Sequence, residues 1–498
     1  MNVFGILRFP TASGTSGVTD VIQNSHTIAG LPIRTAVIYA SLFAVAFCFY
    51  SALWSKAPVT QPDSGSYLRA AQDISDYQID QLQDRAPGYP VLLLLTRSSR
   101  SPTRALFFVS QLLHFLSIWL LASALYRAGL KEIMLTVFCL ILLLPPYVEP
   151  AGYVMSENLA EVMLVSAFVG LVFWWLNKRP ISILLSALAI GCAGLTRPTY
   201  QVLVLAIVGY VVIVSFKLRW TPAMWKDVVK ASLILICGSV VLLGGYAFFN
   251  YRNFGYFVIT PKLGLTLSLK TMRVTERLPE EYARVREVLI RARDAELVTD
   301  PSDTGQMYIW RVTPELMKVT GFQQPELSAY MLRINWLLIK KAPLNYLHEI
   351  VWAFGSYWFP ASGELANLNS RSILFLWALI HFFLIGGFAF NLILLVGAVM
   401  YIRMCTQLLA PANRLPVSER RSLHIQGLMY GLAGTIVFYT AAISCLVEVG
   451  DPRYRVPTDG LIVFMLFLGT DLRRRLVDLA KTVSFDPERC RAEAGTVS

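Results

Sequence analysis

The segment Thr35 to Trp54 reads TAVIYASLFAVAFCFYSALW, an uncharged apolar run preceded by Arg34 and followed by Lys56. A run of about twenty residues is what an α-helix needs to cross the hydrocarbon core of a bilayer. Further apolar runs follow at Arg104 to Tyr126, Ile133 to Tyr147, Glu157 to Leu176, Ile181 to Thr196, Tyr200 to Phe216, Ala231 to Asn250, Ile373 to Tyr401, Gly427 to Val447 and Val456 to Leu468. Together they predict an all-α polytopic membrane protein with about ten transmembrane helices. With 55% hydrophobic and only 15% charged residues and a mean hydropathy of +0.54, the composition excludes an ordinary soluble chain.

Basic residues in short loops are retained on the cytoplasmic side, so their positions orient the spans. With both termini cytoplasmic, Arg127 and Lys131, Lys178 and Arg179, Lys217 to Lys230, Arg403 to Arg421 and the tail from Arg473 all fall inside. The net charge of +12 then faces anionic lipid headgroups and calls for no nucleic-acid partner. Counting Asn345 to Pro360 as a crossing would put the Arg403 to Arg421 loop outside. It therefore reads as an interfacial or re-entrant segment, with Trp352, Tyr357 and Trp358 in the headgroup belt.

The organisation that follows has a disordered cytoplasmic leader at 1–34 and an N-terminal transmembrane module at 35–250, with a first external loop at 55–103. An extracytoplasmic helical cap at 251–372 includes the interfacial segment 345–360. C-terminal transmembrane helices at 373–470 and a cytoplasmic basic tail at 471–498 complete the chain. Two amphipathic stripes support the cap: Leu278, Tyr282, Val285, Val288, Leu289 and Ala292 in one segment, and Leu327, Tyr330, Met331, Ile334 and Leu338 in another.

Several chemistries are unsupported. Cys48, Cys139, Cys192, Cys237 and Cys445 lie in predicted spans, and Cys405 and Cys490 on the cytoplasmic side, none at disulfide or metal-ligand spacing. His26, His114, His348, His381 and His424 are scattered, with no i, i+4 pair for a metal site. There is no Walker-type phosphate loop and no dinucleotide fingerprint.

The external turns carry the unusual residues. The first loop begins Gln61-Pro62-Asp63-Ser64-Gly65-Ser66-Tyr67-Leu68 and continues to Arg85-Ala86-Pro87-Gly88-Tyr89-Pro90. Asp63 suits a turn or helix cap as well as a catalytic carboxylate. The recurrence of Tyr67, Leu68, Ala71, Ile74 and Tyr77 reads as a helix lying on the membrane. Glu157 stands at the mouth of the fourth span, where an ionisable group is costly unless paired, functional or stabilised by the helix dipole with Ser156 as cap. Arg85, Arg197, Arg453 and Arg455 sit on the side that should be poor in positive charge, as expected if they bind an anion. Arg453 and Arg455, flanking Tyr454, share one face if the stretch is extended, though snorkelling to lipid phosphates would also account for them.

This series resembles the GT-C superfamily of polyprenyl-phosphate-sugar-dependent glycosyltransferases, in particular the bacterial relatives of protein O-mannosyltransferases and lipid A aminoarabinose transferases. The resemblance is a string of short motifs from Asp63 to Pro457. Asp63 and Tyr67 open the first loop, Arg85, Pro87, Tyr89 and Pro90 precede the next apolar run, and Glu157 opens the fourth span. Arg197 and Pro198 close a following span, and Arg453, Tyr454 and Pro457 precede the last. Where many protein O-mannosyltransferases have two adjacent acids, this chain has Asp63-Ser64.

The resemblance implies a GT-C-like bundle in a bacterial inner (plasma) membrane with its site on the extracytoplasmic side. It implies a hexosyl- or pentosyltransferase that moves a sugar from a polyprenyl-phosphate donor to a hydroxyl of a lipid-, glycan- or protein-linked acceptor. Asp63 is the expected base or acceptor-orienting group, with Arg85, Arg197, Arg453, Arg455 and Tyr454 around the phosphate and Tyr67 and Tyr89 in positioning roles. Glu157 would either share a divalent cation with Asp63 or hold an arginine. Direct displacement would invert the anomeric centre, as no second nucleophile stands out. The alternatives are a lipid-carrier polymerase or ligase, and a transporter or flippase of an anionic lipid-linked substrate. The charges gather at one membrane face rather than in mid-bilayer, which disfavours the transporter.

Overall fold

The computed structural model describes residues 27–28, 31–54, 57–78, 85–217, 222–299, 308–358, 379 and 417–484. The expected span Ile373 to Tyr401 apart from Leu379, most of the leader, the Arg403 to Arg421 loop up to residue 416 and the end of the tail lie outside these residues.

Among the described residues the regular secondary structure is helical apart from a minimal hairpin, Thr27–Ile28 with Leu31–Pro32, and one bridge between Val59 and Tyr153. Six helices among the described residues are long and apolar enough to cross a membrane: Ile33–Leu53, Arg104–Arg127, Glu157–Asn177, Pro198–Phe216, Trp225–Phe254 and Ile425–Val447. The protein is an integral membrane protein. The expected span Ile133 to Tyr147 is instead a broken pair, Glu132–Leu142 and Pro145–Gly152, bent by 64°. Pro145 and Pro146 lack the N–H groups that would continue the first helix, and Pro145 disfavours helical geometry at Leu144.

We label the main helices α1 (Ile33–Leu53), α2 (Ser64–Ser75), α3 (Gly88–Leu95), α4 (Arg104–Arg127), α5 (Glu132–Leu142), α6 (Glu157–Asn177), α7 (Pro180–Thr196), α8 (Leu203–Lys217) and α9 (Pro222–Phe254). They continue with α10 (Leu263–Thr271), α11 (Ala283–Thr299), α12 (Tyr308–Thr320), α13 (Gln324–Lys341), α14 (Pro343–Trp358), α15 (Val417–Val447) and α16 (Val456–Ser484).

Helix α6 is the axis of the bundle, with Leu164, Val165, Phe168 and Leu171 fully buried against α4, α7 and α16. In lipid, helices associate through close packing rather than water expulsion, and small residues permit it. Gly170 of α6 lies so close to Ser186 of α7 that a Cβ there would collide with the serine Oγ.

At one end of the bundle, α1 leads into the Asp63 loop, α6 starts at Glu157, α7 ends at Arg197 and a short turn joins α15 to α16. At the other end Gln426 donates to the Ala128 carbonyl at 2.8 Å, and Arg475 reaches Ser422 and Gly129. The candidate residues therefore share one face, and the basic residues near Arg127 and Arg475 the opposite one.

Helices α10 to α13 enclose a second core of Leu265, Leu289, Ile309, Leu327 and Ile334. Asn335 fastens it by donating to the Gly264 carbonyl and accepting from Ser268 and Thr271. Helix α13 starts with a capping box between Gln323 and Glu326. Helix α14, about 24 Å long, is too short for a ~30 Å crossing. Its Leu344, Leu347, Val351 and Trp352 are exposed. Tyr357 and Trp358, expected beside it in the headgroup belt, are buried in the bundle core instead, because α14 turns that end against α15 and the turn before α16.

Candidate active site

The first loop is pinned before it reaches its acid. Val59 donates its N–H to the Gly152 carbonyl and accepts from the N–H of Val154. Ser64 Oγ then donates to the Val154 carbonyl at 2.8 Å. Asp63 occupies the position preceding α2, yet its side chain makes no capping bond. Its two oxygens instead meet two guanidiniums: Arg85 Nη2 at 2.7 Å from Oδ1 and Arg453 Nη2 at 2.8 Å from Oδ2.

Arg85 is itself held. Its Nε donates to Ser66 Oγ at 2.7 Å, and its guanidinium stands 4.5 Å from the centre of the Tyr67 ring. Tyr67 meets the Tyr89 ring edge-on at 5.0 Å and shares a hydrogen bond with Ser156 Oγ. Helix α2 thus lies on α3 and the start of α6 through Tyr67 and Ala71. The expected stripe stops short of Tyr77, which lies past the helix end with φ 56 and is exposed.

Glu157 and Arg197 form a second pair at 2.7 Å, nearly withdrawn from solvent at 5% and 11% exposure. Ser156 does not cap α6 with its side chain, since its hydroxyl faces Tyr67. Glu157 Oε1 takes Arg197, while Oε2 is buried without a hydrogen-bond partner. The two pairs meet at Tyr454: Arg197 stands 5.2 Å and Arg453 5.1 Å from its ring centre.

Arg453 and Arg455 do not share a face as an extended strand would require. Pro452–Arg455 is a 3-10 turn, begun by Asp451 accepting the Arg453 N–H at 2.9 Å, so residues two apart point in different directions. Arg455 is buried, with Nε on Asp459 at 2.8 Å and Nη1 donating to the Tyr357 carbonyl. It ties α16 to α14 and stands apart from Asp63. The turn depends on Gly450, whose φ of +74 suits glycine and whose missing Cβ leaves room for the Ala353 carbonyl.

Burial pushes the Asp63 carboxyl up, but Arg85 and Arg453 together outweigh it and hold the group below its ordinary range. Burial opposes the charge on Arg453, but Tyr454 and Asp63, with Glu157 and Asp451 beyond, keep it firmly protonated.

The sequence reading also missed residues. Glu448 lies near Tyr454 and Arg197 in the turn already singled out for its arginines. One helical turn below Glu157, the buried Glu161 meets His114 Nδ1 at 3.0 Å, while His114 Nε2 lies 3.0 Å from the Leu142 carbonyl. His114 had no sequence partner because its partner is an acid on another helix.

A divalent cation fits poorly here. Among the described residues no three His, Cys, Asp or Glu side chains gather as a metal site. Asp63 and Glu157 are each engaged by arginine, and a cation placed between them would face Arg85, Arg197 and Arg453.

No protein-family model and no curated protein matches the chain. Among solved structures, the crystal structure of ArnT from Cupriavidus metallidurans bound to undecaprenyl phosphate is similar over 88% of this chain and 78% of that one. Identity is 14% and the TM-score 0.32, a likeness too slight to carry chemistry from that protein to this one.

Proposed function

We propose that the protein is a membrane glycosyltransferase of GT-C type that moves a sugar from a polyprenyl-phosphate donor to a hydroxyl acceptor at the extracytoplasmic face. The observation that carries this reading is the convergence of Arg85 and Arg453, from the first loop and the last turn, on the single carboxylate of Asp63. The motif resemblance supports it independently.

In the resting state the two guanidiniums hold Asp63. An incoming donor phosphate offers them a doubly acceptor-rich anion, and bidentate arginine–phosphate bonds replace the arginine–carboxylate ones. Asp63 then loses the two charges that depress its basicity and becomes able to take a proton. The acceptor oxygen attacks the anomeric carbon, its proton passes to Asp63, and the bond from that carbon to the phosphate oxygen breaks. The bonding pair leaves with the polyprenyl phosphate, whose charge Arg85 and Arg453 stabilise. One displacement inverts the anomeric centre.

Glu157 and Arg197 hold Tyr454 and thereby Arg453, and Tyr67 holds Arg85. The first loop supplies the base, and α14 of the cap backs the turn that carries Arg453. The test uses membrane vesicles, labelled polyprenyl-phosphate sugars and a membrane extract as acceptor source. Release of polyprenyl phosphate by wild type and not by Asp63→Asn supports the reading. No release with any donor, from folded protein, overturns it.

A further inference from the structure

We propose that the groove between α1 and α4 is a binding site for one anionic phospholipid, with an acyl chain in the groove and the phosphate on Arg104. The site is independent of the glycosyl-transfer reading.

The groove encloses about 460 Å³ and is lined by apolar side chains with the Cys48 thiol. Ala40, Ala44 and Cys48, one turn apart on α1, leave it open along the helix, and Phe47, Phe115 and Trp119 wall it. Helix α1 ends and α4 begins at the Asp63 face, so the two run antiparallel and the groove follows them from that face towards the bilayer interior.

A cation stands two helical turns beyond the groove's Leu112 end, on the same face of α4. Arg104 opens α4, is exposed, and lies 5.3 Å over the Phe108 ring, which stands 5.5 Å from that of Phe47. Its contact with the Ser51 carbonyl, at 3.4 Å, leaves most of its donors to solvent. Leu112 and Leu116 follow Arg104 and Phe108 at four-residue spacing, so one face of α4 runs from the cation into the apolar groove. Arg104 to Leu116 spans about 18 Å, the length of an extended acyl chain.

The loop before α4 adds charge. Thr96, Ser98 and Thr103 are cross-bonded, and Arg97 and Arg100 project into solvent from that knot. Asp76, 3.5 Å from Arg100, is the acid paired with the loop. Anionic headgroups are attracted to such a surface by about 1 kcal/mol per basic residue.

The direction of the groove selects a phospholipid over the donor carrier. Leu106, two residues beyond Arg104, packs into the cluster of Tyr67 and Tyr89 beneath Arg85. Two residues on an α-helix diverge by about 200°, so Arg104 and its groove look away from Asp63.

The test is native mass spectrometry of full-length protein released from nanodiscs containing phosphatidylglycerol and phosphatidylcholine, with polyprenyl phosphate added in a second arm. Wild type and Arg104→Lys should retain one phosphatidylglycerol. Arg104→Gln should lower its occupancy about tenfold, as expected for a lost charge-assisted bond. Ala44→Phe, which fills the groove, should abolish it, and Cys48→Leu serves as a gentler filling if that variant unfolds. Equal retention of phosphatidylcholine, preference for polyprenyl phosphate, a dimer in place of the lipid adduct, or retention indifferent to Arg104→Gln and to groove filling would each overturn the proposal.

Discussion

Asp63 and Arg453 belong to opposite ends of the chain, one in the loop after the first span and the other in the turn before α16, and they meet at 2.8 Å. With Arg85 on the other oxygen, the carboxylate is turned away from the helix it could have capped. Asp63→Asn keeps the shape and removes the charge. Transfer measured as polyprenyl phosphate release should fall about 10²- to 10⁴-fold, the range of a lost general base, with the protein still eluting as a folded species. Activity within a few-fold of wild type would remove Asp63 from the chemistry.

The pH dependence should report the same arginines. Because Asp63 is held below its ordinary range, wild-type kcat/KM should stay level as pH falls to that range. Arg85→Gln removes one of the charges responsible, so the acid limb should move upward. The sign for stability agrees: a depressed carboxylate stabilises the fold above its unfolded value and loses that contribution as pH falls through the native one. An unmoved acid limb in Arg85→Gln would mean that Asp63 does not set it.

Much of this was legible in advance. Asp63, Arg85, Glu157, Arg197 and Arg453 stood out because charges at span ends are costly, and those five form three ion pairs, two on Asp63 and one between Glu157 and Arg197, with Arg197 and Arg453 both against the Tyr454 ring. Local backbone was harder to foresee. Arg453 and Arg455 were read as neighbours on a strand, but Asp451 and Pro452 start a turn that separates them. The break at Pro145 was hidden inside a continuous apolar run. His114 with Glu161 depended on helix neighbours, which hydropathy does not encode.

Glu157 and Arg197 should behave as one unit. Removing either partner leaves a buried charge, which costs about 3–5 kcal/mol. Glu157→Gln and Arg197→Gln should each lower the thermal midpoint and activity, and the double variant should be less impaired than the sum of the two. Additive losses in such a cycle would show that the pair does not act through its mutual contact.

Arg453 and Arg455 should separate by phenotype. Arg453 is 22% exposed beside Asp63 and Arg455 is 1% exposed on Asp459. Arg453→Gln should raise the donor KM or lower kcat about 10²-fold, as for loss of one oxyanion donor, with little change in thermal midpoint. Arg455→Gln should destabilise by about 3–5 kcal/mol and leave the donor KM of surviving enzyme near wild type. The reverse pattern would place the phosphate on Arg455.

The cap offers a test on a different residue. Lys270 of α10 is buried and donates to the Glu349 carbonyl at 3.1 Å, and Arg273 holds the Glu349 carboxylate at 3.0 Å. Burial pushes the Lys270 ammonium down to about 8, against the opposing pull of Glu349. The folded protein then binds fewer protons than the unfolded chain between that value and the ordinary lysine range, so stability should rise with pH across that interval. Below it the buried charge costs up to ~3 kcal/mol. Lys270→Met should therefore flatten the pH dependence of the thermal midpoint on the alkaline side, and its midpoint relative to wild type should be highest near neutral pH. Parallel wild-type and variant curves would mean that Lys270 keeps its ordinary basicity in the fold.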